Sequence, residues 1–113
     1  MNPLYFKFFK YLEDIGEQEA PLKIKLLYPN EYKITPEDLH IKGNFDLANT
    51  SITSLPDNLQ ISGDLDIGNT RITSLPSSLK VKGNILIYGT PLESKTEEEI
   101  RQMAPGIRGE IWT

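Results

Sequence analysis

The chain has 113 residues, 38% of them hydrophobic and 25% charged, and a formal net charge of −4. That length suits one domain, and the acidic balance argues against a duplex nucleic-acid binder, which needs a basic stripe to displace counterions. There is no cysteine, which excludes a disulfide framework and a thiolate metal site and fits a reducing compartment.

Residues 1–20 are expected to form an N-terminal capping helix. Within them, 3–15 reads as amphipathic, because Leu4, Phe8, Tyr11, Leu12 and Ile15 recur at three- and four-residue spacings. Pro3 suits a first turn and Gly16 a stop. Lys7, Lys10, Glu13 and Asp14 interrupt the apolar run, so it does not read as a signal peptide, and no run reaches the length of a membrane span. A soluble cytoplasmic protein is expected. Residues 22–28, LKIKLLY, alternate at first and predict an edge strand. Pro29-Asn30 then turns the chain.

A repeat array is expected over 21–92. Residues 41–60, IKGNFDLANTSITSLPDNLQ, are nearly copied at 61–80, ISGDLDIGNTRITSLPSSLK, and a decaying copy, VKGNILIYGTPL, follows at 81–92. A degenerate copy precedes them, since Pro36, Leu39 and Ile41 match Pro56, Leu59 and Ile61 at the same offset. A fixed period near twenty predicts stacked repeats that build a shared core. Alternation places Ile41, Gly43, Phe45 and Leu47 inward on one strand and Lys42, Asn44, Asp46 and Ala48 outward. Ile61, Gly63, Leu65 and Ile67, then Val81, Gly83, Ile85 and Ile87, repeat the inward set. The recurring glycine predicts a close backbone approach. Ile52/Leu55 and Ile72/Leu75 should line the far side of the core.

Residues 93–113 are expected to form a C-terminal cap. Thr96 and Glu99 have capping-box spacing around an acidic first turn, and Pro105-Gly106 should end that helix. The tail IRGEIWT should pair as an edge strand or pack over the last repeat.

The segment LDIGNTRITSLP at 65–76 resembles a leucine-rich repeat, and the likeness covers about half of the chain. Phe45/Leu47, Leu65/Ile67 and Ile85/Ile87 fit the two strand positions of that family. Thr50, Thr70 and Thr90 stand where the family has an asparagine that ladders to loop backbone. The resemblance implies an α/β solenoid with a parallel sheet on one face and capping helices. A short parallel β-helix is the alternative. The ensemble is also loosely similar to small repeat proteins of tailed phages and bacteria. That implies a non-catalytic protein-binding module, with inhibition of a host defence protein as its role.

Three constellations are candidates for chemistry. Asp46, Asp64 and Asp66 should cluster on the outer strand face, where a carboxylate pair for acid/base work, a calcium site or an acidic docking patch are the competing readings. His40, the one histidine, should stack beside Gln60 and Lys80, with no nucleophile set around it. Leu86 and Tyr88 replace Asp/Ala and Asp/Gly of the earlier repeats, as a contact for the C-terminal tail and Trp112 or as an aromatic anchor. The expectation is a single domain that is not an enzyme and needs neither metal nor cofactor. It should recognise a protein with a basic surface through Asp46, Asp64, Asp66, Leu86 and Tyr88. Neither nucleic acid nor membrane is expected as a partner. Self-association through the ends of the stack, as a structural subunit, is the competing function.

Overall fold

The computed structural model describes residues 20–113. The helix expected at 3–15 therefore lies outside the described residues. Where an edge strand was expected at 22–28, the chain forms helix Ala20–Leu27. The alternation of Leu22, Ile24 and Leu26 is too short to distinguish the two periods, and Leu22 and Leu26 are also one helical turn apart. Leu and Lys favour the helix. Leu22 and Ile24 are buried, and Leu26 and Leu27 pack against the core. Lys25 turns its ammonium onto Asp38, with both side chains mostly covered.

Asp38 lies in a short 3-10 helix, Pro36–Leu39. Its carboxylate also accepts the Thr35 backbone N–H at 2.8 Å and the Thr35 hydroxyl at 3.0 Å. Burial pushes this carboxyl up, but the Lys25 and Thr35 bonds together hold it below its ordinary value. The chain then enters eight two-residue strands: β1 (His40–Ile41), β2 (Phe45–Asp46), β3 (Gln60–Ile61), β4 (Leu65–Asp66), β5 (Lys80–Val81), β6 (Ile85–Leu86), β7 (Gly106–Ile107) and β8 (Ile111–Trp112).

These strands form two parallel four-stranded sheets, ordered β1-β3-β5-β7 and β2-β4-β6-β8. The parallel stacking is as expected, but the single strand over 41–48 is not. Each repeat contributes one short strand to each sheet, so the sheets occupy two faces instead of one. A glycine stands at the break in each layer, at 43, 63, 83 and 109. Gly43 has φ +89 and is exposed rather than inward, a conformation that disfavours any side chain. The expected close approach occurs at Gly63 and Gly83, where a methyl group would overlap the backbone of Gly43 and Gly63 respectively. Gly63 N–H donates to the Gly43 carbonyl at 2.9 Å, Gly83 to Gly63 at 3.0 Å, and Gly109 to Gly83 at 3.0 Å.

Register follows the repeat: Ile41 pairs with Ile61, Ile61 with Val81, Phe45 with Leu65, and Leu65 with Ile85. Like residues therefore stack on like in the core. Phe45, Leu47, Leu65, Ile67, Ile85 and Ile87 are fully buried, and Ile52, Leu55, Ile72 and Leu75 close the opposite side as expected. The tail supplies the fourth strand of both sheets, with Val81 opposite Ile107 and Ile85 opposite Ile111. Helix Glu97–Met103 is inserted before this last layer and buries Ile100 against the core. Its capping box is formed: Glu99 N–H donates to the Thr96 hydroxyl at 3.1 Å, and Thr96 N–H donates to the Glu99 carboxylate at 2.9 Å.

Two outcomes are expected. Leu65 has no exposed surface and lies between two further layers, so Leu65→Ala should lower unfolding free energy by about 2–5 kcal/mol in denaturant titration. Asp38 titrates below its unfolded value, so its contribution is present above the ordinary aspartate pKa and is lost as pH falls through the folded one. Asp38→Asn should flatten the acid limb of the stability profile below about pH 4 and leave its shape near neutrality unchanged.

Candidate interaction face

The outer positions of the second sheet form one continuous row. Asp46 pairs with Asp66, Asp66 with Leu86, and Leu86 with Trp112. Adjacent strands in a sheet lie about 4.8 Å apart, so the row runs from two acids through an aliphatic side chain to an indole. Asp46 is exposed and Asp66 and Leu86 are half-buried, whereas Trp112 retains 49% of its surface.

The acids have local partners. Asp46 Oδ1 accepts the Ala48 N–H at 2.9 Å, and Asp66 Oδ1 accepts the Gly68 N–H at 2.9 Å. Each carboxylate thereby sets the turn that ends its strand. Asp64 belongs to a different row. Asn44 Oδ1 accepts from Asp64 N–H at 2.8 Å, Asp64 Oδ1 from Asn84 N–H at 2.7 Å, and Asn84 Oδ1 from Glu110 N–H at 2.8 Å. The side chain at this position in each layer thus satisfies the backbone of the next. Of the three acids taken as a cluster, Asp46 and Asp66 are brought side by side, and Asp64 is committed to holding layers together.

Tyr88 crosses back over the stack. Its ring lies against Gly68, where a methyl group would collide with it, and its hydroxyl donates to Asp66 Oδ2 at 3.3 Å. The glycine at 68 is what makes room for the ring. Tyr88 is therefore half-buried against its own protein and joins Asp66 to the aromatic end of the face. Burial and the Asp66 and Asp46 carboxylates all oppose the phenolate, so the phenol titrates above its ordinary value. Trp112 Nε1 donates to the Glu110 carboxylate at 3.0 Å, which orients the indole edge.

The turns behind the row use side chains in two further ways. Asn49 and Asn69 have φ 61 and 56, and Asn69 Nδ2 donates to Asn49 Oδ1 at 2.9 Å. Thr50, Thr70 and Thr90 hydroxyls donate to the carbonyls of Leu47, Ile67 and Ile87 at 2.8, 2.8 and 2.6 Å. Each threonine therefore closes its own turn. The bond between layers is made by the asparagine one residue earlier.

Leu86 meets Trp112 of the tail, one of the two contacts expected for it, and the tail pairs as an edge strand; the register of that pairing was not read from the sequence. Its signal was Ile107-x-Gly109-x-Ile111, which repeats Val81-x-Gly83-x-Ile85 at an offset of 26 rather than 20 residues. The inserted helix hid the period. His40 stacks with Gln60 and Lys80 as expected, but on the first sheet. Among the described residues no group of three or more His, Cys, Asp or Glu is arranged to hold a metal ion, and no helix is long and apolar enough to cross a membrane. No family model, curated protein or solved structure matches this chain.

The ladder at 44, 64 and 84 separates charge from hydrogen bonding. Asp64→Asn keeps the acceptor and should leave thermal stability nearly unchanged, whereas Asp64→Ala strands the Asn84 N–H and should cost about 1–2 kcal/mol. For Tyr88 the folded pKa is raised, so its share of stability is present below the ordinary tyrosine value and is lost as pH rises through the folded one. Tyr88→Phe should abolish that alkaline loss in unfolding curves taken above about pH 10.

Proposed function

We propose that this protein is a non-catalytic binding module, a stacked-repeat solenoid of the leucine-rich-repeat type that recognises a partner protein through its second sheet. The reading is supported chiefly by Trp112, the exposed large hydrophobic residue among those described, at the end of a row it shares with Asp46, Asp66 and Leu86. A rigid aromatic buries a large area at small entropic cost, and interface hot spots are enriched in tryptophan and tyrosine. The neighbouring acids would steer a basic surface onto the face and set its orientation. Two short strands per repeat, one in each sheet, draw the geometry toward the parallel β-helix alternative, which would use the same face. The loose likeness to small phage repeat proteins extends the reading to an inhibitor that occupies a host defence protein in the cytoplasm.

Self-association is the competing reading. Its support is the position of β7 and β8, which are the last strands of the two sheets. Unpaired strand edges template pairing with another chain.

Affinity capture from a host lysate followed by binding kinetics separates the two. Trp112→Ala should weaken capture of the partner by about 2 kcal/mol or more, mainly by faster dissociation, with the unfolding midpoint unchanged. Asp46→Asn with Asp66→Asn keeps both turn acceptors and removes the charge, and should slow association and flatten its salt dependence. A concentration-dependent rise in mass by light scattering, with no captured protein, would instead support assembly through the ends.

A further inference from the structure

The first sheet carries the opposite charge. Its outward rows read His40, Gln60, Lys80, Gly106 and Lys42, Ser62, Lys82, Arg108, flanking buried Ile41, Ile61, Val81 and Ile107. These residues line an open furrow of about 640 Å³. His40, Lys42, Lys80, Lys82 and Arg108 are exposed, and the ion pairs among the described residues are Lys25–Asp38 and Arg101–Glu97. Four permanent cations thus share one face with no carboxylate partner among the described residues, on a chain whose net charge is −4.

The arrangement within the furrow is not uniform. The second layer is neutral and polar, with Gln60 and Ser62 between cationic layers, and Ser62 Oγ accepts the Gly43 N–H at 2.7 Å. Gly106 presents no side chain in the last layer, and the Lys80 side chain lies over it, where a methyl group would crowd both that side chain and the Leu79 carbonyl. Lys80 and Lys82 flank Val81 on the same side of an extended segment, and same-face residues along extended chain repeat at about 6.6 Å. The carboxylates at alternate positions of an extended peptide repeat at that same distance.

We propose that this furrow binds an extended acidic peptide segment of another protein, at a surface separate from the tryptophan-bearing face. Like charges held together without partners repel one another and attract anions that neutralise several at once. Among the described residues no aromatic side chain lines the furrow, so they supply no stacking platform of the kind on which single-stranded nucleic acid is held. Its four permanent cations and neutral centre match a short run of carboxylates better than a long phosphate backbone.

The test is fluorescence anisotropy of a labelled ten-residue peptide of alternating Glu and Ser, titrated with the full chain, alongside a labelled oligothymidine of similar length. Saturable peptide binding that weakens with added salt is expected. Lys42→Gln with Lys82→Gln should lower that affinity by about tenfold or more. Lys80→Gln with Arg108→Gln is the second variant, used if the first alters the circular dichroism spectrum. Asp46→Asn, on the other sheet, should leave peptide affinity unchanged. Absence of peptide binding, or binding insensitive to both pairs of substitutions, would overturn the proposal. So would tighter binding of the oligothymidine than of the peptide.

Discussion

The structure depends on one close contact repeated through the stack: the backbone of a glycine in each layer lying directly on that of the glycine before it. Gly43, Gly63, Gly83 and Gly109 are joined by N–H to carbonyl bonds of 2.9–3.0 Å. A side chain at Gly63, Gly83 or Gly109 would enter the backbone of the preceding glycine. This column sits at the corner between the two sheets. It sets the layer spacing for both, and it allows two-residue strands to suffice, because register is held at the corner rather than along a long strand. Core stacking then follows. Once the corners are aligned, Phe45, Leu65, Ile85 and Ile111 must meet in register, and their burial stabilises what the corner aligns.

Polar side chains extend the same principle outward. A layered backbone leaves N–H groups at every bend that no strand partner reaches, and buried or half-buried donors need acceptors. Asn44, Asp64 and Asn84 meet that need between layers, and Asp46 and Asp66 meet it within them. An aspartate that looks like a surface charge can therefore be part of the frame. The consequence for function is a division of labour. Asp46 and Asp66 combine turn-making with a charge on the outer row, exposed at Asp46 and half-buried at Asp66, while Asp64 holds layers together. Tyr88 belongs to both groups, because its hydroxyl reaches Asp66 and its ring fills the space over Gly68.

The corner also divides the surface electrostatically. The outward positions one residue before the corner and three after it lie on different sheets, so each repeat writes separately onto the two. Lys42, Lys82 and Arg108 accumulate on one, and Asp46 and Asp66 on the other. A small acidic protein thereby presents a cationic furrow and an acidic, aromatic-ended row without the two neutralising each other. The net charge alone conceals this, because opposite charges a short distance apart in sequence are separated by the turn of the chain.

Much of this was legible in the residues. The twenty-residue copy determined parallel stacking, the inward apolar positions, the pairing of Asp46 with Asp66 and the need for glycine at a close approach, because identical residues at a fixed offset can bury a common core only by lying on one another. Thr96 and Glu99 determined the start of the last helix by local hydrogen bonding. Three features were decided by tertiary structure. Alternation over 41–48 cannot tell one strand from two strands around a bend, since inward and outward residues alternate in both until a backbone dihedral is known. LKIKLLY was drawn into a helix by burial of Leu22 and Ile24 and by the reach of Lys25 to Asp38, contacts made across thirteen residues. Trp112 joined the row because six extra residues, looped out around helix Glu97–Met103, leave the layer spacing unaltered. A period in sequence measures chain length, whereas stacking depends only on where the chain returns.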